Sequence, residues 1–373
     1  MRGRMGARTY MTNNYLQWLA ATDTIWWHDS ADPRAADAAI QNGAVGMTTN
    51  PFLIASTLTD PRAGWTEAFS AEWGGPKEAL GAKASRDEGS GAYARDIGAL
   101  SGDEKALELE MRVGARHAAT FRQFWGIKRG AGGVCVQVNP AKPGDAALMT
   151  EQVRKIGPLA PNICVKTPAT HAGLVAFEEG VALGFNMVST LSFTVAQCVA
   201  AAEAYERGAA RARSNGITPG FSAAVMMLGR LDDYLRDVAA DGEYGIPERA
   251  ITHAGIACMK KAYGIFQERG YRTMLMSAAA RGIYHITELA GANIIMSIAP
   301  SIERTLLTAN PEQAQRADRP IDALVIDQLL ELREFQKAYD ERGMDEGDFI
   351  TYGPTNRTAT QFTEKGWNIL LNC

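Results

Sequence analysis

A lysine at the end of a short apolar stretch is the residue of this chain best suited to covalent chemistry. The stretch runs from Asn162 to Thr170, and residues 163–165 are Ile, Cys and Val, followed by Lys166. So short an apolar run, closed by Pro168, is typical of a buried strand. Burial disfavours the ammonium form, so more of the Lys166 amine is neutral and able to condense with a ketone to a Schiff base. The alternative is a strand-end lysine whose stem packs while its ammonium reaches water.

Taken alone, this stretch favours the simpler alternative, but polar side chains end the other apolar stretches in the same way. They are Asp29, Asn50, Gln137, Asn139, Thr190, Arg230, Arg281 and Ser297. Schiff-base aldol chemistry uses such a set: an amine forms the iminium, a carboxylate moves the proton of the hydroxyl beside the breaking C–C bond, and hydroxyl or amide groups hold water. The two arginines suit a terminal phosphate, which guanidinium groups bind in a bidentate manner.

Eight apolar stretches alternate with helical patterns, and they must position these polar residues. The predicted strands are Thr24–His28, a stretch within residues 43–51, Val134–Val138, Ile163–Val165, Phe185–Thr190, Phe221–Leu228, Arg272–Met276 and Asn293–Ser297. This alternation predicts parallel β/α architecture. Closure into a single (β/α)8 barrel is the simplest solution for eight units, although periodicity leaves an open sheet as an alternative. In such a barrel the catalytic groups gather at the C-terminal ends of the strands.

The predicted organisation is one barrel with additions. Residues 1–23 form an N-terminal extension, residues 24–342 the barrel and residues 343–373 a C-terminal tail that packs on it. A helical insertion of about residues 56–125 separates strands two and three. Single continuous helices are predicted for about Pro247 to Arg269 and for Ile321 to Arg342.

Composition excludes several classes of protein. The 373 residues carry a net charge of −4, which gives no reason to expect nucleic acid. The five cysteines form no C-x-x-C pair and the five histidines no H-x-x-x-H pair, so we expect a reducing compartment and no metal. Glycines 130, 132 and 133 precede a strand and so fail the context of a dinucleotide fingerprint. No apolar run approaches a membrane span of ~18 residues. We expect a cytoplasmic protein without a cofactor.

Several motifs, taken in order, resemble one known family. They are Asp29-Ser-Ala-Asp32, Thr48-Thr-Asn-Pro51, Val165-Lys-Thr-Pro-Ala-Thr170, Gly229-Arg-Leu-Asp-Asp233 and the segment from Arg281 to Gly291. Together they are similar to the transaldolase and fructose-6-phosphate aldolase family, over about Ile25 to Ser301. The resemblance implies a (β/α)8 barrel with its Schiff-base lysine on strand four. It also implies carbohydrate metabolism, in the pentose phosphate pathway.

The resemblance assigns roles position by position. It makes Lys166 the Schiff-base lysine and Asp29 the acid/base. Gln137 falls where transaldolases carry glutamate and the aldolases carry glutamine. Thr190 matches the threonine that helps to position the catalytic water.

Substrate contacts are assigned in the same way. Asn50 would contact the sugar near its reacting carbons, and Arg230 and Arg281 match two phosphate-binding arginines. Asn139 and Ser297 complete the predicted substrate-binding set as strand-end polar residues.

The sequence departs from the family pattern in four places, one of which comprises two residues. Gln137 lacks the carboxylate of ordinary transaldolases, and Val188 stands where they have asparagine. Val225 and Met227 stand near the sixth strand end, where transaldolases have serine and phenylalanine and the aldolases alanine and tyrosine. Ala279 replaces a serine of the phosphate pocket. Gln137 and Val188 favour an aldolase, whereas Met227 removes the tyrosine that the aldolases carry. Ala279 leaves open whether the anionic end of the substrate is a phosphate or another anion such as a sulfonate.

The expected activity is transfer of a dihydroxyacetone unit from an anionic ketose to an aldehyde. One alternative is a lyase that releases free dihydroxyacetone; another is a non-catalytic sugar-phosphate-binding protein, which the presence of both Lys166 and Asp29 disfavours. The expected partners are small sugars, with neither nucleic acid nor membrane, and a homo-oligomer is left open.

Overall fold

A computed structural model of the chain describes residues 14–63, 65 and 97–373. Residues 1–13 of the predicted N-terminal extension and residues 64 and 66–96 of the predicted insertion lie outside the described residues.

Eight parallel strands close into a barrel in the order of the chain, β1 to β8, with β8 paired to β1. The prediction of a (β/α)8 barrel is confirmed. The strands are β1 (Ile25–Asp29), β2 (Met47–Thr48), β3 (Val134–Gln137), β4 (Ile163–Pro168), β5 (Asn186–Thr190), β6 (Ser222–Met227), β7 (Met274–Ala278) and β8 (Ile295–Ile298).

Helices surround the barrel and connect its strands. Those of the first half are α1 (Tyr15–Ala20), α2 (Pro33–Gln41), α3 (Pro51–Leu58), α4 (Gly102–Phe121), α5 (Ala146–Ile156), α6 (His171–Ala182) and α7 (Val195–Ser214). Those of the second half are α8 (Leu228–Asp241), α9 (Glu248–Ile251), α10 (Ala254–Arg269), α11 (Tyr284–Thr287), α12 (Pro300–Ala309), α13 (Ala323–Leu329), α14 (Arg333–Tyr339), α15 (Gly353–Phe362) and α16 (Asn368–Leu370). Within the described ranges, no helix is both long and apolar enough to cross a membrane.

A tryptophan fills the barrel interior below the strand ends. Trp27 is fully buried, and its indole N–H donates to the Gly130 carbonyl at 2.8 Å. Gly133 must lack a side chain, because a Cβ there would lie 2.5 Å from the indole ring. Side chains alternate along each strand, so the inward positions two residues beyond this layer lie at the C-terminal rim. Asp29 is such a position on β1.

Strand four is longer than its apolar core predicts. It continues past Lys166 to Pro168, whose register partner on β5 is Thr190. Proline has no N–H, but the next residue continues the pairing, since the Ala169 N–H donates to the Thr190 carbonyl at 2.6 Å. Lys166 therefore lies within the strand, paired with β3 on one side and β5 on the other, and not at the end of the strand.

Two helices predicted as continuous are broken. The segment from Ile321 to Arg342 forms α13 and α14, because Leu332 between them takes an extended backbone conformation and buries its side chain completely. The segment from Pro247 to Arg269 forms α9 and α10. The sequence pattern showed which positions are apolar, but it did not show where the helices break to follow the curved surface of the barrel.

The C-terminal segment (residues 343–373) lies against the loops at the C-terminal ends of the strands. The Thr355 hydroxyl donates to the Leu191 carbonyl at 3.4 Å, just after β5. Gly366 packs against the start of α3, where a Cβ would lie 2.6 Å from the Phe52 nitrogen. A π-helical turn, Thr363–Trp367, joins α15 to α16, and such turns are frequent near functional sites. This segment therefore borders the rim that carries the predicted site.

Candidate active site

The Lys166 side chain crosses the inside of the barrel. It is 6% exposed, and its Nζ donates to the Thr49 carbonyl at 3.3 Å, on the far side of β3. Among the described residues, no carboxylate lies within ion-pair distance of this amine. A buried lysine without an acidic partner is unusual in a protein interior.

The two sides of Lys166 differ in polarity. Residues in register on adjacent parallel strands face the same side, and Lys166 is in register with Gln137 on β3 and Val188 on β5. Val188 is in turn beside Ala223 on β6. The amine thus has an amide and a carbonyl on one side and an apolar wall on the other. Val188, which stands where transaldolases have asparagine, forms that wall.

Asp29 lies at the end of β1 and is held by hydroxyl groups. The Thr48 hydroxyl donates to Asp29 Oδ1 at 2.9 Å, and the same hydroxyl contacts Ser297 Oγ. Three neighbouring strands, β8, β1 and β2, therefore fix one carboxylate at the rim. The preceding His28 faces outward, where its Nδ1 lies 2.5 Å from Glu303 Oε1 on α12.

Three predicted residues present buried polar atoms that have no hydrogen-bond partner among the described residues. They are the amide oxygen of Gln137, the amide nitrogen of Asn139 and the hydroxyl of Thr190. Buried polar atoms are nearly always paired, so such a cluster at strand ends is suited to a polyhydroxylated ligand or to ordered water.

Two of the predicted amides also shape the loops that follow their strands. Asn50 caps α3, since its Oδ1 accepts from the Leu53 N–H at 3.0 Å. The Asn139 Oδ1 accepts from the Ala141 N–H at 2.8 Å. In each case the side-chain oxygen accepts from a backbone N–H two or three residues later, and this hydrogen bond sets the path of the backbone at the rim. Substrate contact by these amides stays a prediction.

The two predicted anion-binding arginines lie near each other but have different partners. Burial, and to a smaller extent the charge of Arg281, lower the pKa of Arg230 to about 10. Arg230 donates to Gln361 Oε1 and lies over the Phe362 ring, both in the C-terminal segment. Arg281 donates from Nε to Asp233 Oδ2 at 2.8 Å. Two cations held near each other, one of them half-buried, are a favourable site for an anion.

A buried imidazole–carboxylate pair fixes the backbone of Arg281. His285 Nδ1 accepts from the Arg281 N–H at 3.0 Å, so the ring proton is on Nε2, which donates to Asp232 Oδ2 at 2.8 Å. The other oxygen of Asp232 accepts from the Gly255 N–H at 2.9 Å. Both side chains are fully buried. The pair joins α8, which follows β6, to α11, which follows β7, and so fixes the two arginines relative to each other.

Four candidate functional residues were not predicted from the sequence, although the sequence contains a sign of each. Thr48, Asp232 and His285 lie inside the motifs quoted above but were not assigned site roles. Glu110 on α4 is a fully buried acid that follows apolar Ala106 and Leu107 at helical spacing. Burial raises the pKa of Glu110 to about 8. An acid on the apolar face of a helix was the available signal.

The predicted residues therefore lie at the C-terminal ends of the strands, at one end of the barrel, and comparison with known proteins identifies the family of the chain. The family model for transaldolase/fructose-6-phosphate aldolase matches residues 26–349. The chain belongs to this family. A transaldolase of Thermosynechococcus vestitus is 24% identical over 326 residues, covering 86% of this chain and 69% of that protein. A transaldolase of Nostoc punctiforme is 25% identical over 316 residues, covering 83% and 80%. A transaldolase of Thiobacillus denitrificans is 30% identical over 207 residues, covering 51% and 56%.

Membership of the transaldolase/fructose-6-phosphate aldolase family supports a transaldolase-like function. The four departures are distributed around the site: Gln137 and Val188 flank Lys166, Met227 ends β6, and Ala279 lies beside Arg281, whose guanidinium donates to the Ala279 carbonyl at 3.1 Å. Ala279 has a φ of 58°, which is strained for a residue with a Cβ. Within the described residues, no group of three or more acidic, histidine or cysteine side chains could hold a metal ion.

Proposed function

We propose that this protein transfers a dihydroxyacetone unit from an anionic ketose to an aldehyde through a Schiff base on Lys166. The observation that supports it best is the Lys166 environment: an amine 6% exposed, between Gln137 and apolar Val188, with Asp29 at the same end of the barrel. Both groups required for Schiff-base cleavage are therefore inward-facing residues at the C-terminal ends of strands.

The proposed reaction begins with attack of the Lys166 amine on the ketose carbonyl and loss of water, giving an iminium. Asp29 takes the proton of the C4 hydroxyl as the C3–C4 bond breaks, and the bonding electrons pass to the iminium to form an enamine. The aldehyde leaves and the enamine adds to an acceptor aldehyde, whose oxygen receives the proton back from Asp29. Water then releases the product and the amine.

The remaining residues take binding roles in this proposal. Gln137 and Thr190 hold the water of the Schiff-base steps with the amide oxygen and the hydroxyl that have no partner in the described part of the chain. Asn50, Asn139 and Ser297 contact sugar hydroxyls, and the two arginines bind the anionic end of the sugar.

Removal of an arginine tests the anion site. We expect Arg281→Ala to raise KM for fructose 6-phosphate about 10- to 100-fold, since a charge-assisted contact contributes about 1.5–3 kcal/mol. KM for uncharged fructose should change little. Steady-state kinetics on both sugars provides the measurement. Arg357→Ala is the matched control, because Arg357 is exposed on α15 and pairs with Asp237. Equal effects of Arg281→Ala on the two sugars would show that this arginine does not bind the anion.

A lyase is the second candidate, and Gln137 is the observation that favours it. A carboxylate at this position can both orient and activate water, whereas an amide can only orient it. Met227, which is 6% exposed at the end of β6, supplies no proton to the enamine. An enamine without a proton donor should persist and be captured by an aldehyde.

We therefore expect transfer to exceed release when acceptor is abundant. Free dihydroxyacetone is measured against transfer product with and without erythrose 4-phosphate as acceptor. Gln137→Glu should increase transfer and Met227→Tyr should increase release. An undiminished rate of dihydroxyacetone formation at saturating acceptor would mean that the enzyme is a lyase.

A further inference from the structure

Two neighbouring residues of the C-terminal segment hold one of the two arginines assigned to the anion. Arg230 donates from Nη1 to Gln361 Oε1 at 2.5 Å. The central carbon of its guanidinium lies 5.4 Å from the centre of the Phe362 ring, and this ring is buried. The amide oxygen thus fixes one nitrogen of the guanidinium while the aromatic ring supports the group from another direction. Together the two contacts set the position of Arg230.

Neither contact neutralises the charge of Arg230. An amide oxygen and an aromatic ring attract a cation without carrying a full negative charge. Among the described residues, no carboxylate lies within ion-pair distance of Arg230, whereas Arg281 donates from Nε to Asp233 Oδ2 at 2.8 Å. A guanidinium has several N–H donors, and the hydrogen bond to Gln361 occupies a single nitrogen of Arg230. Arg230 therefore keeps its charge and most of its donors for a ligand.

The surroundings of Arg230 favour an anion at this place. The side chain is half-buried near the start of α8, and burial is the main reason why its pKa is lowered to about 10. A cation that is partly removed from water loses hydration, and a bound anion offsets that loss. Within the described ranges the protein supplies no such anion, which leaves the position to the substrate.

The C-terminal segment is held in place on both sides of these two residues. Before them, Gly353 packs on α8 so closely that a Cβ there would lie 2.5 Å from the Tyr234 ring. After them, a Cβ on Gly366 would lie 2.6 Å from the Phe52 nitrogen on α3. Helix α15 itself packs on α8, the helix that carries the arginine. The amide and the ring that contact Arg230 are therefore parts of a fixed structure.

We propose that Gln361 and Phe362 are positioning residues that hold Arg230 toward the anionic end of the ketose and thereby set the preference for an anionic sugar. This inference deepens the proposed function and rests on it. The absence of charge on the glutamine is the decisive feature, because the amide orients the guanidinium and leaves its charge to the substrate. A carboxylate in the same place would orient Arg230 equally well but would occupy that charge.

Gln361→Glu tests this role, because the variant keeps the shape of the side chain and places a carboxylate beside Arg230. The ratio of kcat/KM for fructose 6-phosphate to kcat/KM for fructose should fall about 10- to 100-fold, as expected for loss of a charge-assisted contact. The fall should come from KM and not from kcat, because the anion is bound alike in the ground state and the transition state. Gln361→Met removes the amide but leaves the charge of Arg230 free, so the ratio should fall less, about two- to fivefold.

Thr360→Glu is the matched control. Thr360 precedes Gln361 on α15 and is exposed, so this variant adds the same charge to the same helix on its solvent side. Its ratio of kcat/KM values should stay close to that of the wild type. Thermal melting separates positioning from a general disturbance of the fold: Gln361→Glu should melt no lower than wild type, because its carboxylate gains Arg230 as a partner.

Binding of inorganic phosphate provides a readout that does not need turnover. Isothermal titration calorimetry should show a Kd about 10- to 100-fold higher for Gln361→Glu than for wild type, and a nearly unchanged Kd for Thr360→Glu.

An unchanged ratio in Gln361→Glu, an equal fall in Thr360→Glu, or equal increases of KM for both sugars would overturn the inference, as would failure of the wild type to bind phosphate. Absence of any wild-type adduct on Lys166 after borohydride treatment would instead overturn the proposed function. The phosphate titration would then still show whether Gln361 positions Arg230 for an anion.

Discussion

Replacement of Lys166 by methionine is expected to abolish the covalent intermediate and to lower turnover about 10⁴-fold or more, as loss of a covalent nucleophile does. Methionine approximates the apolar stem of lysine, so it should fill the same space beside Gln137 and Val188. The hydrogen bond from the amine to the Thr49 carbonyl is lost. Incubation of wild type with fructose 6-phosphate and borohydride should leave a three-carbon adduct on the peptide that contains Lys166.

The matched control for this experiment is a lysine near the site but in solvent. Lys142 lies in the loop after β3, with its side chain 54% exposed and 3.9 Å from Asp103. Lys142→Met should retain the adduct and the turnover. A melting curve shows that Lys166→Met is folded. Trapping on another lysine, or equal trapping in Lys166→Met, would reject the covalent role.

The location of the predicted site depended on features that a sequence records well. Alternation of apolar stretches and helices indicates parallel strands, and the C-terminal ends of parallel strands in a barrel meet at one rim. Lys166, Asp29 and Gln137 could therefore be assigned to the same end from the sequence alone. The same reasoning gives no distances, and it made β4 too short because proline is usually read as the end of a strand.

Contacts between distant segments were beyond the sequence. Arg230 is close in the chain to Asp232 and Asp233, but it donates to Gln361, 131 residues away. Asp232 binds His285, an interaction that depends on how α8 and α11 meet after β6 and β7. Local spacing cannot specify such pairs, because each depends on the curvature of the barrel and on the return of the C-terminal segment to its rim. The same limitation concealed the break between α13 and α14.

Replacement of Asp29 by asparagine is expected to leave Schiff-base formation intact and to slow C–C cleavage about 10²-fold or more, the usual contribution of an acid–base group. The amide oxygen can still accept from the Thr48 hydroxyl, which lies 2.9 Å from Asp29 Oδ1 in the native protein. The geometry of the rim should therefore survive, whereas the amide cannot take up the C4 hydroxyl proton. Borohydride trapping gives the rate of iminium formation, and release of the aldehyde product gives the rate of cleavage.

The neighbouring acid provides the control for Asp29. Asp32 belongs to the same Asp-Ser-Ala-Asp segment but caps α2, accepting from the Arg34 N–H at 2.9 Å. Asparagine caps a helix as well as aspartate does, so Asp32→Asn should keep both stability and turnover. Thr48→Val should slow cleavage by about tenfold, because it removes one orienting hydrogen bond but retains the carboxylate. If Asp29→Asn turns over at the wild-type rate, the proton of the breaking bond must pass to another group, and the assignment of Asp29 is wrong.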